Sequence, residues 1–121
     1  MPLGKDGWIQ LVQNVDDSGN PSGPAVSEGA WTSAVETVAV PGTAEQCPSM
    51  VAAPGKAIVF KALDSNTNTV YLGSSQANAQ SAAVRFGLSA GQSLILYLTN
   101  ANLVWVDAVV AAEGISIAVE Q

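Results

Sequence analysis

Chain breakers fall at nearly regular intervals through most of this sequence, and that spacing restricts its fold more than any other feature. Turn signals lie near residues 41, 54, 65, 78, 90, 100 and 113, in steps of about 10–13 residues. Between them run short apolar segments that alternate from side to side. Ile58 and Phe60 share one face of Lys56–Ala62, while Val59 and the Lys61 stem share the other. Val70 and Leu72 oppose Tyr71. Leu94, Leu96 and Leu98 oppose Ile95 and Tyr97, and Ile115, Ile117 and Val119 oppose Ser116, Ala118 and Glu120. No helix-period pattern of useful length competes. The fold class is all-β: an antiparallel β-sandwich or jelly-roll-like domain.

Residues 1–30 differ from the rest. The alternating run Trp8–Gln13 is followed by DDSGNPSGPAVSEG, whose Gly, Pro, Ser and acids make an extended connection rather than a packed element. The division expected is therefore an N-terminal arm and linker over residues 1–30 and a β-sandwich domain over residues 31–121. Trp8, Ile9, Leu11 and Val12 are too apolar for an idle tail. Either they add a strand to the domain's own sheet or they form an arm that docks on a neighbour.

Within the domain, Trp31–Val40 reads as a strand ending at the Pro41-Gly42 turn. Ala44–Ala53 reads as irregular with room for one short strand, and Pro48 argues against a central place in a sheet. Asp64–Asn68 carries side chains that hydrogen-bond their own backbone, so Thr69–Gly73 is expected to return beside Lys56–Ala62. Residues 74–83 are small and polar and read as a loop, although their alanines permit a short helix.

Composition limits the chemistry. Only 12% of residues are charged, against about 25% in an ordinary domain. A surface so poor in charge is expected to face other protein in part. The net charge of -6 is uneven: residues 1–55 hold Asp6, Asp16, Asp17, Glu28, Glu36 and Glu45 against Lys5 alone. Nothing basic is concentrated, which excludes a nucleic-acid partner. No apolar stretch approaches the roughly 20 residues of a membrane span, and the N-terminus lacks the apolar centre of a secretory signal. The expectation is a protein made and assembled in a cytoplasm.

No constellation for catalysis assembles. Gly87-Leu-Ser-Ala-Gly91 matches the G-x-S-x-G elbow of serine hydrolases, but the chain holds 0 histidines and the motif precedes a strand. Ser89 therefore reads as a turn residue. Asp64-x-Asn66-x-Asn68 opens like a calcium loop, yet Thr69 and Ser75 occupy the places of the required Gly and Glu. Asp16-x-Ser18-x-Asn20 fails similarly at Pro21. Cys47, the single cysteine, reads as a small buried hydrophobe. Neither a metal nor a cofactor is expected. Of the three tryptophans, Trp105 lies on a core-like strand and is expected to pack. Trp8 and Trp31 flank the linker, where contact with a partner is expected.

Strands apolar on both faces, such as Ser93–Leu98, must be buried twice, once by their own core and once by a second layer, the arm or another subunit. Together with the low charge, this points to a homo-oligomer, a dimer or a trimer.

The order of residues adds a resemblance. KAIVFKALDSNTNTVYLGSS, followed by FGLSAGQSLILYLTNANLVWVDA, resembles a group of small tailed-phage virion proteins. They share an apolar strand ending in K-A, an N-T-x-x-V-Y-x-G stretch, a Gly-Ser turn and a late strand ending in V-D-A. The resemblance covers roughly residues 38–119. It implies a non-enzymatic structural role on the virion, as a head decoration (cement) protein, a head fibre or a tail-associated protein, with the major capsid protein or another virion protein as partner. It carries over no functional residues.

Overall fold

The structure is a computed structural model and describes residues 30–121. The described residues form eight strands: β1 (Trp31–Thr37), β2 (Glu45–Gln46), β3 (Ile58–Ala62), β4 (Val70–Gly73), β5 (Phe86–Leu88), β6 (Ser93–Leu96), β7 (Trp105–Ala108) and β8 (Gly114–Glu120). One short helix, α1 (Gln76–Gln80), and a 3₁₀ turn (Ala101–Leu103) complete the described elements. The strands form two four-stranded antiparallel sheets. The front sheet has the order β1-β8-β3-β6 and the back sheet the order β2-β7-β4-β5.

The alternating faces locate the core. Ile58, Phe60 and Ala62 from β3, and Ile115, Ile117 and Val119 from β8, form one cluster with Val70, Leu72, Leu88, Val104, Val106 and Ala108 from the back sheet and its approach. Leu94, Leu96 and Leu98 pack on its margin. Two Pro-Gly turns behave as their chemistry demands. Thr43 N–H donates to Val40 O and Lys56 N–H to Ala53 O, both at 3.0 Å, with Gly42 and Gly55 at φ of 88° and 77°. Pro fixes the first central residue of such a turn, and only Gly takes the positive φ of the second without strain.

Pairing differs from the expectation at several places. Thr69–Gly73 does not return beside Lys56–Ala62, because β3 belongs to the front sheet and β4 to the back sheet. Of the seven connections between successive strands, only that from β4 to β5 stays within one sheet. The first strand ends at Thr37 rather than Val40, although Val38, fully buried in the core, still donates to Glu113 O at 2.9 Å and accepts from Ala112 N–H at 2.8 Å. Within residues 74–83 the chain forms α1 rather than a loop throughout. Ser75 caps it, accepting a hydrogen bond from Asn78 N–H at 3.1 Å. Pro48 follows β2, which is an edge strand.

The Asp64–Asn68 turn is tied to Glu113 and Gly114, both by its backbone and by the side chains of Asn66 and Thr67. Asn66 is buried and donates to Gly114 O at 2.8 Å. The Glu113 carboxylate accepts from Thr67 N–H at 2.6 Å, from the Thr67 hydroxyl at 2.7 Å and from Asn68 N–H at 3.2 Å. The two Thr67 bonds, backed by that from Asn68, hold the Glu113 carboxyl below its ordinary pKa against an opposing effect of burial. A depressed native pKa contributes stability that is present above the unfolded value of about 4.3 and is lost as pH falls through the native one. Glu113→Gln is therefore expected to lower the thermal midpoint at pH 7, the difference from wild type closing below about pH 4. Circular-dichroism melts from neutral to acid pH read this directly, and a difference independent of pH would remove the ionised carboxylate from the account.

Candidate functional site

The residues that looked catalytic take structural positions. Ser89 lies in the turn between β5 and β6, where its carbonyl accepts from Gln92 N–H at 2.9 Å and its N–H donates to Gln92 Oε1 at 2.8 Å. Lys56 and Lys61 face Glu120 at 3.8 Å and Asp64 at 3.4 Å. Asn66, the middle residue of the calcium-like spacing, is committed to the backbone of Gly114. Among the described residues no group of three His, Cys, Asp or Glu comes together. Cys47 is buried, and burial, followed by the nearby Glu36 carboxylate, pushes its thiol pKa up to about 12. A thiol so placed stays protonated and is a poor nucleophile.

The outer faces of the two sheets contrast. On the back sheet the chain covers itself. α1 lies so close over β4 that a Cβ on Gly73 would come within 2.6 Å of the Ala79 Cα. Gln76 Nε2 donates to Ala44 O at 3.1 Å, and Gln80 Oε1 accepts from Ala44 N–H at 2.8 Å. The turn at Gly42 closes over β7, its N–H donating at 2.9 Å to the buried Asp107, which also accepts from Ala108 N–H at 2.8 Å. The Arg85 guanidinium stacks 3.6 Å above the Tyr71 ring. Trp105, paired with Gly73, is half-buried on this outer face rather than between the sheets.

Nothing among the described residues plays that part on the front sheet. Register aligns Ser33, Ala118, Val59 and Ile95 in one row across all four strands, and Val35, Ser116, Lys61 and Ser93 in the next. Alternation adds Trp31 and Tyr97 at the two edges, about 14 Å apart across three strand spacings. Trp31, Val35, Ile95 and Tyr97 are 62%, 57%, 56% and 76% exposed. A shallow depression lies between, lined by Trp31, Ala57, Val59 and Ala118. Small hydroxyls, the Lys56–Glu120 pair and Lys61, which faces Asp64, supply the polarity of the face. Trp31, Val35, Val59, Ile95 and Tyr97 make this a sheet face with a sizeable apolar part, suited to burial against protein.

A second apolar feature opens where the edge strands β5 and β6 run beside each other. A cleft of about 460 Å³ enters the space between the sheets there, lined by Leu72, Val84, Phe86, Leu94, Leu96 and Leu103 among others.

Trp31 thus lies on the front face, whereas Trp8, Ile9, Leu11 and Val12 fall outside the described residues, as does the arm over residues 1–30 apart from Ala30. Val35, Val59, Ile95 and Tyr97 join Trp31 on that face without having been singled out as site residues. Their signal was the two-faced strand, apolar at odd and even positions alike. Comparison with protein-family models, with curated proteins and with solved structures returned no match.

Proposed function

We propose that this chain is a structural, non-enzymatic subunit of a tailed-phage virion, and specifically a capsid decoration (cement) protein that binds the head shell as a symmetric dimer or trimer. One observation carries this reading: the front sheet presents exposed Trp31, Val35, Ile95 and Tyr97 on a face that no other described residue covers, in a chain with only 12% charged residues. Such a face gains stability by burial against another subunit or the shell, at about 25 cal/mol per Å² of apolar area removed from water. The two sheet orders, taken together, fit an eight-stranded jelly-roll sandwich, an architecture that recurs in capsid domains. The resemblance over residues 38–119 supports the same assignment. Trp31 contributes to the contact face, and Trp8, Ile9, Leu11 and Val12 extend it as an arm that adds a strand to the major capsid protein or to a sister subunit.

The test is co-sedimentation of the purified full chain with expanded, undecorated shells of its own virus. Saturable binding with symmetric density at capsomer junctions is expected, and a chain that stays in the supernatant at micromolar concentration would refute the assignment. A second reading is favoured by Trp31 and Tyr97, two exposed rings on one sheet face. It makes the domain a carbohydrate- or receptor-binding module of a tail or fibre, stacking sugars on those rings. A glycan array without a hit, or with hits unaffected by Trp31→Ala, would dismiss it.

A further inference from the structure

The cleft beside β6 has the properties of a strand-accepting groove. β5 and β6 are the terminal strands of their sheets, so each offers an edge that is unpaired among the described residues. The stretch Ser93–Leu98, SLILYL, contains neither a charge nor a proline. Native proteins shield an edge of that kind with charge, proline, a bulge or a covering segment, since a bare apolar edge recruits other strands. Apolar side chains also crowd its rim: Val84, Phe86 and Leu103 are 59%, 51% and 48% exposed. An extended segment would pair its backbone with a strand edge and drop alternate side chains between the sheets, meeting both needs at once.

The chain itself carries a segment of that description. Before Ala30 its apolar residues concentrate in WIQLV, Trp8–Val12, where Ile9 and Leu11 point to one side of an extended strand and Trp8 and Val12 to the other. A cleft of about 460 Å³ accommodates a few aliphatic side chains. Reach is ample. The 18 steps from Val12 to Ala30 extend to about 60 Å, whereas the front sheet separates β1 from β6 by about 14 Å. We propose that the run Trp8–Val12 seats as an added strand along β6, placing Ile9 and Leu11 in the cleft between the sheets. The proposal stands on the groove and its edges, does not depend on the virion assignment, and puts β6 of this fold in place of the capsid protein as the arm's acceptor.

Two measurements on the full chain test it. In a Leu11→Cys/Phe86→Cys variant, oxidation is expected to form the 11–86 disulfide at least tenfold faster than the corresponding bond in an Ser18→Cys/Phe86→Cys control, Cys47 being buried and inert. Mixing isotopically heavy and light copies tells whether the run comes from the same chain or from a neighbour, and either source satisfies the proposal. Equal rates in the two variants would overturn it. In Ile9→Asp/Leu11→Asp, amide exchange along Ser93–Leu96 is expected to quicken about tenfold or more, since the added strand would no longer protect that edge. Exchange unchanged from wild type would overturn it as well. Both substitutions lie outside the described core, so the domain's own folding does not confound the readout.

Discussion

Ile95→Asp/Tyr97→Asp is expected to leave the domain folded and to weaken the proposed self-association through the front face by about 100-fold or more. Both side chains stand on the front face, 56% and 76% exposed, so neither contributes to the core cluster. Burying each against a partner is worth about 1.5–3 kcal/mol, which association forfeits when a carboxylate takes its place. A two-fold symmetric contact counts every loss twice, because the same patch serves both subunits. At about 1.4 kcal/mol per factor of ten, the pair exceeds two orders of magnitude in dissociation constant. Sedimentation velocity over a concentration series measures the change, and a thermal melt checks that the fold survives. Assembly at wild-type concentration would remove the front face from the interface.

Phe60→Ala is expected to cost about 3–5 kcal/mol of unfolding free energy. Phe60 is the largest fully buried side chain among the described residues and lies in the middle of β3, in register with Leu94 on one side and Ile117 on the other. The loss combines the transfer of the ring out of an apolar interior with a cavity that two sheets, tied by their ladders, cannot collapse. Against the roughly 5–15 kcal/mol of a typical domain, the variant approaches the limit of folding at 25 °C. Denaturant titration reads the effect as a lowered midpoint at constant slope. Phe60→Leu keeps most of the volume and should lose much less, which separates cavity formation from loss of the ring.

Much of the fold was legible because strand alternation has a period of two and burial follows it. Ile58 with Phe60, Leu94 with Leu96, and Ile115 with Ile117 and Val119 each face inward as their spacing requires. Pro41-Gly42 and Pro54-Gly55 turn where backbone sterics say they must. Pairing partners were not legible. Alternation assigns a face to each residue and leaves its neighbouring strand open, so Lys56–Ala62 and Thr69–Gly73 read as a hairpin although they lie in opposite sheets. Asn66 shows why the short turn misled. Its type suits a local Asx turn, but its amide binds Gly114, 48 residues away. α1 was hidden by its length, since a helix of five residues has no period to detect. Its signals were the alanines among residues 74–83, which permit a short helix, and Ser75 as a cap. The front face was legible in part: Ile95 and Tyr97 demanded a second burial that no local pattern could locate.

The crossing connections have a consequence for how the protein is made. β8, the last strand, lies between β1 and β3, and β7 lies between β2 and β4. A nascent chain that has just delivered β6 from the ribosome therefore holds two sheets with their middles missing. Neither ladder can close until the final strands emerge, and each then bridges partners that have waited since early in synthesis. Such non-local pairing favours slow, concerted assembly once β7 and β8 have emerged rather than stepwise growth. A cut shortly before Gly114 would take the centre out of the front sheet and leave no smaller folded core behind.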